Sequence, residues 1–485
     1  MQKKKVIFIR FLILIFILVS FLLHILSIDN RLWADAQNDE EKVKEEQKLL
    51  ESETTKELER IAIKPAKKGE TIAFRYGGWF NSIYRSYENL DNDKSTVDTI
   101  HNSWLNDMRL WFKFTLFDKY AAYFRIKNYY VSRSTDTGYT GIGDDYDGPH
   151  LDMGYITLNF NEKESPITAT LGRQYVYIGR GIAYSATHDG VKITWKPSHL
   201  FIKSFFTLTK PNEDNIDISV PNYEKNGERT FMGTEISYLD IPHTIIYIYG
   251  LIQKDRNNQN TNTQNYDYNS RYFGIGLEGG IERNFGYWAE IIKETGKDFT
   301  DAQAVKLDKR NINALALDLG LKYYFRNRFK PKFEFEYAYG SGDNDRTMVD
   351  YTRGGGNRYG DDKNFLYFGN FYGGYALSPK LSNLKAWKIE SSVVPFNGYK
   401  FLKDLVVGIK YWFYRKDKAS GGIYDTDATL PHKDIGQELN LYFYWKIAKN
   451  KYWSCRYGIF FPGKSYPVAT QTDTKYFYTG LTVTF

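Results

Sequence analysis

Residues 108–116, Met108-Arg109-Leu110-Trp111-Phe112-Lys113-Phe114-Thr115-Leu116, alternate apolar and polar side chains more clearly than any other stretch of the chain. The Met, Leu and Phe side chains share one face, and Arg109, Lys113 and Thr115 share the other. A period of two predicts a β-strand, because successive strand side chains point to opposite faces. The pattern returns in residues 314–322 and 332–337. By itself it fits a soluble β-sandwich as well as a membrane β-barrel.

The pattern extends from residue 70 to the end of the chain in short segments separated by clusters of turn-forming residues. We predict strands near 70–85, 103–117, 119–131, 150–161, 166–175, 188–196, 199–209, 229–238, 242–254, 268–279, 282–293, 309–324, 329–339, 384–394, 399–414, 434–446, 450–462 and 475–485.

The connections between these strands alternate between long and short. The long ones include 132–149, 210–228, 255–267, 294–308, 340–383, 416–433 and 463–474, and the short ones include 117–119, 197–198, 239–241, 280–281 and 448–450. Long extracellular loops and tight periplasmic turns are typical of bacterial outer-membrane barrels. A soluble sandwich has no reason to sort its loops in this way. The predicted fold is therefore an all-β transmembrane antiparallel barrel of about 18 strands. Its predicted location is a Gram-negative-type outer membrane, where the outer face of the barrel would contact the lipid.

The final segment, residues 476–485, places Phe477, Leu481, Val483 and Phe485 in one phase of an amphipathic strand. An aromatic residue at the end of such a strand resembles the signal that the barrel assembly machinery recognises. We therefore predict that this machinery is a partner, through the C-terminal strand that ends at Phe485.

The amino terminus is predicted to be a signal peptide, residues 1–36. Three lysines precede a long apolar run, and Ala34-Asp35-Ala36 supplies the small residues of a cleavage site. The alternative is an uncleaved membrane anchor, since the apolar run is about long enough to span a bilayer. The strands that follow argue against it, because a barrel in the outer membrane does not need an inner-membrane helix. Residues 37–69 form a charged periplasmic leader that is either helical or flexible, and they are a candidate surface for a periplasmic partner. The barrel is then residues 70–485.

The composition agrees with a barrel and excludes several other classes of protein. The 485 residues include 41 Tyr and 33 Phe, yet the mean hydropathy is only −0.52. The net charge of +7 falls to +4 if residues 1–36, with five basic and two acidic side chains, are removed, which is too small to indicate nucleic-acid binding. The single cysteine, Cys455, excludes an intrachain disulfide and a thiolate metal cluster. No enzyme motif, metal-ligand spacing or cofactor motif is present.

If the apolar face meets lipid, the opposite phase of each strand faces the lumen. This phase contains basic candidates, which are Arg109, Lys113, Arg125, Lys127, Lys192, Lys196, Lys322, Lys410 and Arg456. The acidic candidates, Glu278, Glu290, Asp318, Glu334, Glu336 and Glu438, lie mainly on the middle strands. The lumen is therefore predicted to carry a transverse field that selects and orients charged solutes. The alternative is that many of these groups are structural wall pairs, such as Lys332 with Glu334.

Three short motifs resemble the alginate export family of outer-membrane porins. They are Leu171-Gly172-Arg173-Gln174 with Gly179-Arg180 and Asp189-Gly190-Val191-Lys192, then Asp434-Ile435-Gly436-Gln437-Glu438-Leu439-Asn440-Leu441, and finally Tyr457-Gly458-Ile459-Phe460-Phe461-Pro462-Gly463. The resemblance spans residues 70–485.

The resemblance implies a monomeric 18-stranded barrel with loops that gate its mouths and a basic region that selects an anionic polysaccharide. It marks Arg173, Gln174, Arg180, Asp189 and Glu438 as motif positions, although Asp189 and Gln174 fit wall packing at least as well. The predicted lumen carries charges of both signs, which departs from an ideal alginate exporter. This departure leaves a different polysaccharide or a small molecule open as the solute. The predicted function is passage of an anionic, saccharide-like solute. The alternative is a structural barrel that scaffolds a periplasmic or surface partner.

Overall fold

The computed structural model describes residues 72–90, 92–95, 101–117, 119–134, 144–160, 166–209, 229–256, 268–281, 284–299, 309–346 and 359–485. The predicted signal peptide (1–36) and leader (37–69) lie outside these residues. Among the residues described, no helix is both long and apolar enough to cross a membrane.

The described chain contains eighteen β-strands and one 3₁₀ turn. The first nine strands are β1 Ile72–Glu88, β2 Asn102–Leu116, β3 Tyr120–Ser134, β4 Asp144–Phe160, β5 Ile167–Ile178, β6 Tyr184–Trp195, β7 Leu200–Leu208, β8 Arg229–Tyr238 and β9 Thr244–Asp255. The other nine are β10 Asn269–Ile281, β11 Phe285–Phe299, β12 Lys309–Tyr324, β13 Lys332–Gly340, β14 Leu384–Val393, β15 Leu405–Lys416, β16 Asp434–Ala448, β17 Lys451–Pro462 and β18 Thr474–Thr484. The 3₁₀ turn, Val468–Thr470, lies between β17 and β18.

The strands form one closed antiparallel barrel. Each strand pairs with the next along the chain, and β1 pairs with β18 from Trp79 opposite Thr484 to Glu88 opposite Lys475. Closure pairs every strand with two neighbours over at least part of its length, and a closed barrel is the form in which strands can cross a hydrocarbon layer. The predicted all-β barrel of about 18 strands is confirmed.

The two faces of the barrel differ as the alternation predicts. Large apolar side chains are exposed on the outer face, for example Phe74, Phe114, Ile156, Ile275 and Phe335. Charged side chains are buried on the inner face, for example Arg125, Glu290, Asp318, Glu390 and Lys410. An inner face of this kind accounts for the low mean hydropathy of the chain.

Short turns join the strands at one end of the barrel and longer connections join most of them at the other. β10 continues to Ile281 and therefore runs through the predicted turn at 280–281. β15 begins at Leu405 rather than near residue 399, because residues 399–405 form successive turns in which Leu402 N–H donates to the carbonyl of Tyr399 at 3.0 Å. β5 and β6 extend to Ile178 and Tyr184, into a segment predicted to be a loop.

Candidate functional site

The upper part of the β5–β6 hairpin leaves the barrel wall. β5 pairs with β4 only up to Arg173, and β6 pairs with β7 only from Asp189 onward. The residues between them, 174–188, pair only with each other in the strand ladder. We call this segment the inward hairpin, because its tip contacts side chains on the inner faces of β8, β11 and β12.

The tip of the inward hairpin is held by carboxylates of the opposite wall. The Gly179 N–H donates to Glu235 Oε2 at 2.7 Å, and the Arg180 N–H donates to Glu290 Oε1 at 3.3 Å. Arg180 Nε also donates to Asp318 Oδ2 at 2.8 Å. Its guanidinium carbon lies 4.7 Å from the centroid of the Trp288 ring, within the range of a cation–π interaction.

Glycine is required at the tip. Gly179 has a φ of +55°, and a Cβ at this position would collide with the Glu290 carboxylate and the Tyr249 ring. The close approach lets the backbone N–H groups reach the carboxylates. Hydrogen bonds to charged groups contribute about 1.5–3 kcal/mol each, so these contacts fix the hairpin across the lumen.

A second segment, residues 359–383 of the connection between β13 and β14, packs against the inward hairpin, and we call it the lumen loop. The Phe368 N–H donates to the Ala183 carbonyl at 3.0 Å, and the Asn370 N–H donates to the Gly181 carbonyl at 3.0 Å. Phe368 also packs on the rings of Tyr272 and Phe231. The two segments therefore form one packed body inside the barrel.

Two buried carboxylates anchor the lumen loop to the wall. Glu438 on β16 accepts hydrogen bonds from the N–H groups of Tyr375, Ala376 and Leu377 at 2.5, 2.9 and 3.0 Å. Glu294 on β11 accepts a hydrogen bond from the Leu366 N–H at 3.0 Å. The predicted lumen residue Glu438 thus holds a loop, and its carboxylate is fully buried.

The wall formed by β2 and β3 carries four inward-phase basic side chains, Arg109, Lys113, Arg125 and Lys127, which we call the basic wall. Arg109 Nη1 lies 3.0 Å and Arg125 Nε 2.5 Å from Asp152 Oδ2. Arg109 also pairs with Asp107 at 2.9 Å.

Two buried cations of the basic wall, Arg125 and Lys113, are incompletely partnered among the described residues. The Nη1 atom of Arg125 is buried without a hydrogen-bond partner among the described residues. No carboxylate of the described chain lies within ion-pair distance of Lys113.

Aromatic rings line the same wall. The guanidinium carbons of Arg109 and Arg125 lie 5.6 and 5.4 Å from the centroid of the Trp79 ring. Tyr123 stacks between Trp111 and Tyr155, with centroid separations of 6.3 and 5.1 Å. The wall thus combines cations with amphipathic aromatic surface.

The inner face of β13–β15 carries a network of alternating charges. Lys332 Nζ lies 3.2 Å from Glu334 and 2.7 Å from Glu390. Lys388 Nζ lies 2.7 Å from Glu334. Lys410 Nζ lies 3.7 Å from Glu390 and 5.1 Å from the centroid of the Tyr442 ring. The predicted wall pair of Lys332 and Glu334 is present.

Two predicted residues lie away from the lumen groups. Arg173 and Asp189 form an ion pair at 2.8 Å. They follow the alternation of Leu171 and Val191, whose side chains are exposed on the outer face. Their placement therefore differs from the lumen position predicted for them, because the pairing of Arg173 with Gly154 continues the outer phase of β4.

The remaining predicted residues are distributed around the barrel. Gln174 is buried and donates to the Thr170 carbonyl at 3.0 Å, as the wall-packing alternative expects. Lys192 Nζ lies 3.5 Å from the Tyr175 carbonyl, Lys322 Nζ lies 5.8 Å from the Tyr324 ring, and the Arg456 guanidinium lies 4.9 Å from the Tyr478 ring. None of these four belongs to the basic wall.

The sequence interpretation missed Asp107, Asp152 and Glu235. Asp107 shares the phase of Arg109 on β2, and Glu235 lies opposite in phase to the exposed Met232 and Ile236 on β8, so both could have been found from the strand alternation. Asp152 could not, because it occupies an irregularity in the pairing of β3 with β4, where the register shifts between Arg125 and Ile126. In the described part of the chain, no group of three or more His, Cys, Asp or Glu side chains could hold a metal ion.

Solved structures with the same fold come from Pseudomonas aeruginosa. OccK5 (OpdH) is 11% identical, with a TM-score of 0.53, and the alignment covers 85% of this chain and 98% of that one. OpdK, solved with vanillate, is 9% identical, with a TM-score of 0.51 and the same coverage of 85% and 98%. These likenesses concern the fold.

Sequence comparisons identify the family. None of the curated proteins matches the chain. The family model for alginate export matches residues 86–479, which is most of the chain. Together with the closed barrel, this match supports an outer-membrane channel and points away from an enzyme. The chain belongs to the alginate export family.

Proposed function

We propose that the channel passes an anionic, saccharide-like solute along the basic wall. Support comes first from how the inner charges are partnered. Carboxylates on β8, β11, β12 and β16 accept hydrogen bonds from the inward hairpin or the lumen loop. Those on β13 and β14 pair with lysines.

The basic wall has the opposite balance. Arg109 and Arg125 share Asp152, Arg109 also pairs with Asp107, and no carboxylate of the described residues lies within ion-pair distance of Lys113. A positive region within a low-dielectric wall raises the local concentration of anions and their entry rate. The single observation that supports anion passage most is that two guanidinium groups of this region, those of Arg109 and Arg125, share one carboxylate, Asp152.

Aromatic groups beside the cations favour a saccharide over a simple inorganic anion. The rings of Trp79, Trp111 and Tyr155 lie on the same wall, and aromatic side chains combine an apolar body with polar atoms. A sugar acid presents both a carboxylate and an amphipathic ring, so one wall accommodates both parts.

The test is ion selectivity in planar bilayers. We expect the reversal potential in a salt gradient to show a preference for anions, and the double variant Arg125→Gln/Lys127→Gln to reduce that preference severalfold. The matched control is Lys400→Gln/Lys449→Gln, which removes two exposed cations from short turns. A pore without anion preference, or one that responds equally to both pairs of substitutions, would reject the proposal.

Solute class is tested in the same bilayers. An oligosaccharide of uronic acids should interrupt the current at concentrations where a neutral oligosaccharide of the same length does not. Equal interruption by both would remove the anionic part of the proposal.

A partner for the charged leader, residues 37–69, is a separate proposal. Its support is the charge pattern of the leader, since the described part of the 340–383 connection packs inside the barrel. Deletion of residues 37–69 should leave conductance unchanged and remove a co-purifying periplasmic protein. Loss of conductance would instead make the leader part of the pore.

A further inference from the structure

The outer face of β9–β11 carries four basic side chains toward the end with long connections: Lys254, Arg271, Lys293 and Lys297. Arg271 is exposed and shares its phase with Phe273 and Ile275, which are 57% and 54% exposed. In the ladder of β10 with β11, Arg271 lies opposite Thr295 and Phe273 lies opposite Lys293. Lys293 and Lys297 therefore point outward as well. We call these four residues the outer basic patch.

The outer basic patch is not neutralised within the described chain. No carboxylate of the described residues lies within ion-pair distance of its four cations. Three other cations of the outer face are paired: Lys475 with Glu88 at 2.6 Å, Arg173 with Asp189 at 2.8 Å, and Lys385 with Asp417 at 3.0 Å.

Neutral amides hold two of the ammonium groups in place. Lys297 Nζ donates to Asn311 Oδ1 at 2.5 Å, and Lys293 Nζ donates to Asn313 Oδ1. An ammonium has three donors, so each retains two for another acceptor. Asp361 is the nearest carboxylate in this hydrogen-bond chain, and it accepts from Asn311 Nδ2 at 3.1 Å.

Apolar side chains continue the same surface toward the middle of the barrel. Ile248, Phe273, Ile275, Ile291 and Leu315 are all exposed on the outer face. Ionised groups on the lipid face are tolerated near the membrane interface and disfavoured at the midplane. The surface thus combines an apolar area with the positively charged outer basic patch, which lies toward the end with long connections.

We propose that the outer basic patch binds the phosphate groups of a phosphorylated glycolipid of the outer leaflet, with the acyl chains of the lipid against Ile248, Phe273 and Ile291. Arg271 offers a planar fork that suits phosphate, and Lys293 and Lys297 offer oriented point charges. Clusters of basic residues beside an apolar surface recognise anionic lipid headgroups through this combination. The site is separate from the lumen and independent of the solute that the channel passes.

The test uses the full-length protein in detergent micelles, with bis-phosphorylated lipid A as the probe and native mass spectrometry as the readout. We expect retention of lipid A and little retention of its dephosphorylated form. The variant Arg271→Gln/Lys293→Gln/Lys297→Gln should lower the affinity for lipid A at least about tenfold. The control Arg415→Gln/Lys433→Gln/Lys464→Gln removes three exposed cations on or beside β15–β17 and should retain the lipid.

Folding of each variant is checked by its heat-modifiable mobility, and Arg271→Gln alone serves if the triple variant does not fold. Arg271 makes no side-chain hydrogen bond or ion pair within the described chain, so its replacement should leave the barrel intact. Equal retention of phosphorylated and dephosphorylated lipid A would overturn the proposal. Equal losses in the patch variant and the control variant would overturn it too.

Discussion

At the scale of single residues, Phe485, which directly follows β18, closes the seam of the barrel. The Phe485 N–H donates to the Gly78 carbonyl at 3.0 Å, and the Gly78 N–H donates to the Phe485 carbonyl at 2.9 Å. The ring of Phe485 lies over Gly78, so that a Cβ there would be 2.8 Å from the ring and 2.5 Å from the Arg109 carbonyl. The aromatic side chain and the glycine form a matched pair across β1 and β18.

Replacing Gly78 by valine should therefore weaken the seam. Overpacking of a filled site typically costs about 1–3 kcal/mol. We expect Gly78→Val to lower the urea concentration at which the barrel unfolds in micelles. The control is Gly250→Val on β9, since a Cβ at Gly250 has nothing within 4 Å. Equal effects of the two substitutions would show that the Phe485 contact does not stabilise closure.

At the scale of elements, the inward hairpin and the lumen loop depend on buried carboxylates that belong to the wall. Glu438 alone accepts three backbone N–H groups of the lumen loop. Its neighbour Gln437 is exposed and bonds to Tyr411 on the outer side. The alternation along one strand therefore separates an anchor from a surface residue.

Replacing Glu438 by alanine should release the lumen loop from the wall. Three backbone donors would lose a charged acceptor, each contact contributing about 1.5–3 kcal/mol. We expect added protease to cleave within residues 370–380 many times faster than in the original protein. Gln437→Ala should leave the cleavage rate unchanged. A resistant Glu438→Ala variant would mean that the contact with the inward hairpin is sufficient.

At the scale of the whole molecule, charge is distributed unevenly around the inner face. Cations dominate the described inner face of β2 and β3, while carboxylates hold the lumen segments on the opposite side. The proposed electric field across the lumen would act on solutes over distances at which dissolved salt screens charge–charge interactions.

Anion preference should therefore fall as ionic strength rises. The Debye length shrinks from about 10 Å at 0.1 M to about 3 Å at 1 M salt. We expect the permeability ratio of chloride to potassium, from reversal potentials at a fixed salt ratio, to approach unity at the higher concentration. A ratio independent of salt would indicate selection by direct contact alone.

The sequence by itself determined the class of fold, the number of strands and most of the faces. β8 (Arg229–Tyr238) and β12 (Lys309–Tyr324) have the predicted bounds. Their inner and outer faces also follow from the sequence, because in a period-two pattern a shift by one residue would move every apolar side chain to the other face. The family also followed from short motifs in the sequence.

Only the tertiary structure decided which charges remain for a solute. Contacts such as Arg180 with Asp318 join residues far apart in the chain, and no local pattern specifies them. The irregular pairing that brings Asp152 to Arg125, and the outer phase of Arg173, likewise depend on how neighbouring strands align. Strand periodicity is a local property, whereas ion partners across a lumen are set by closure of the barrel and by the segments folded into it.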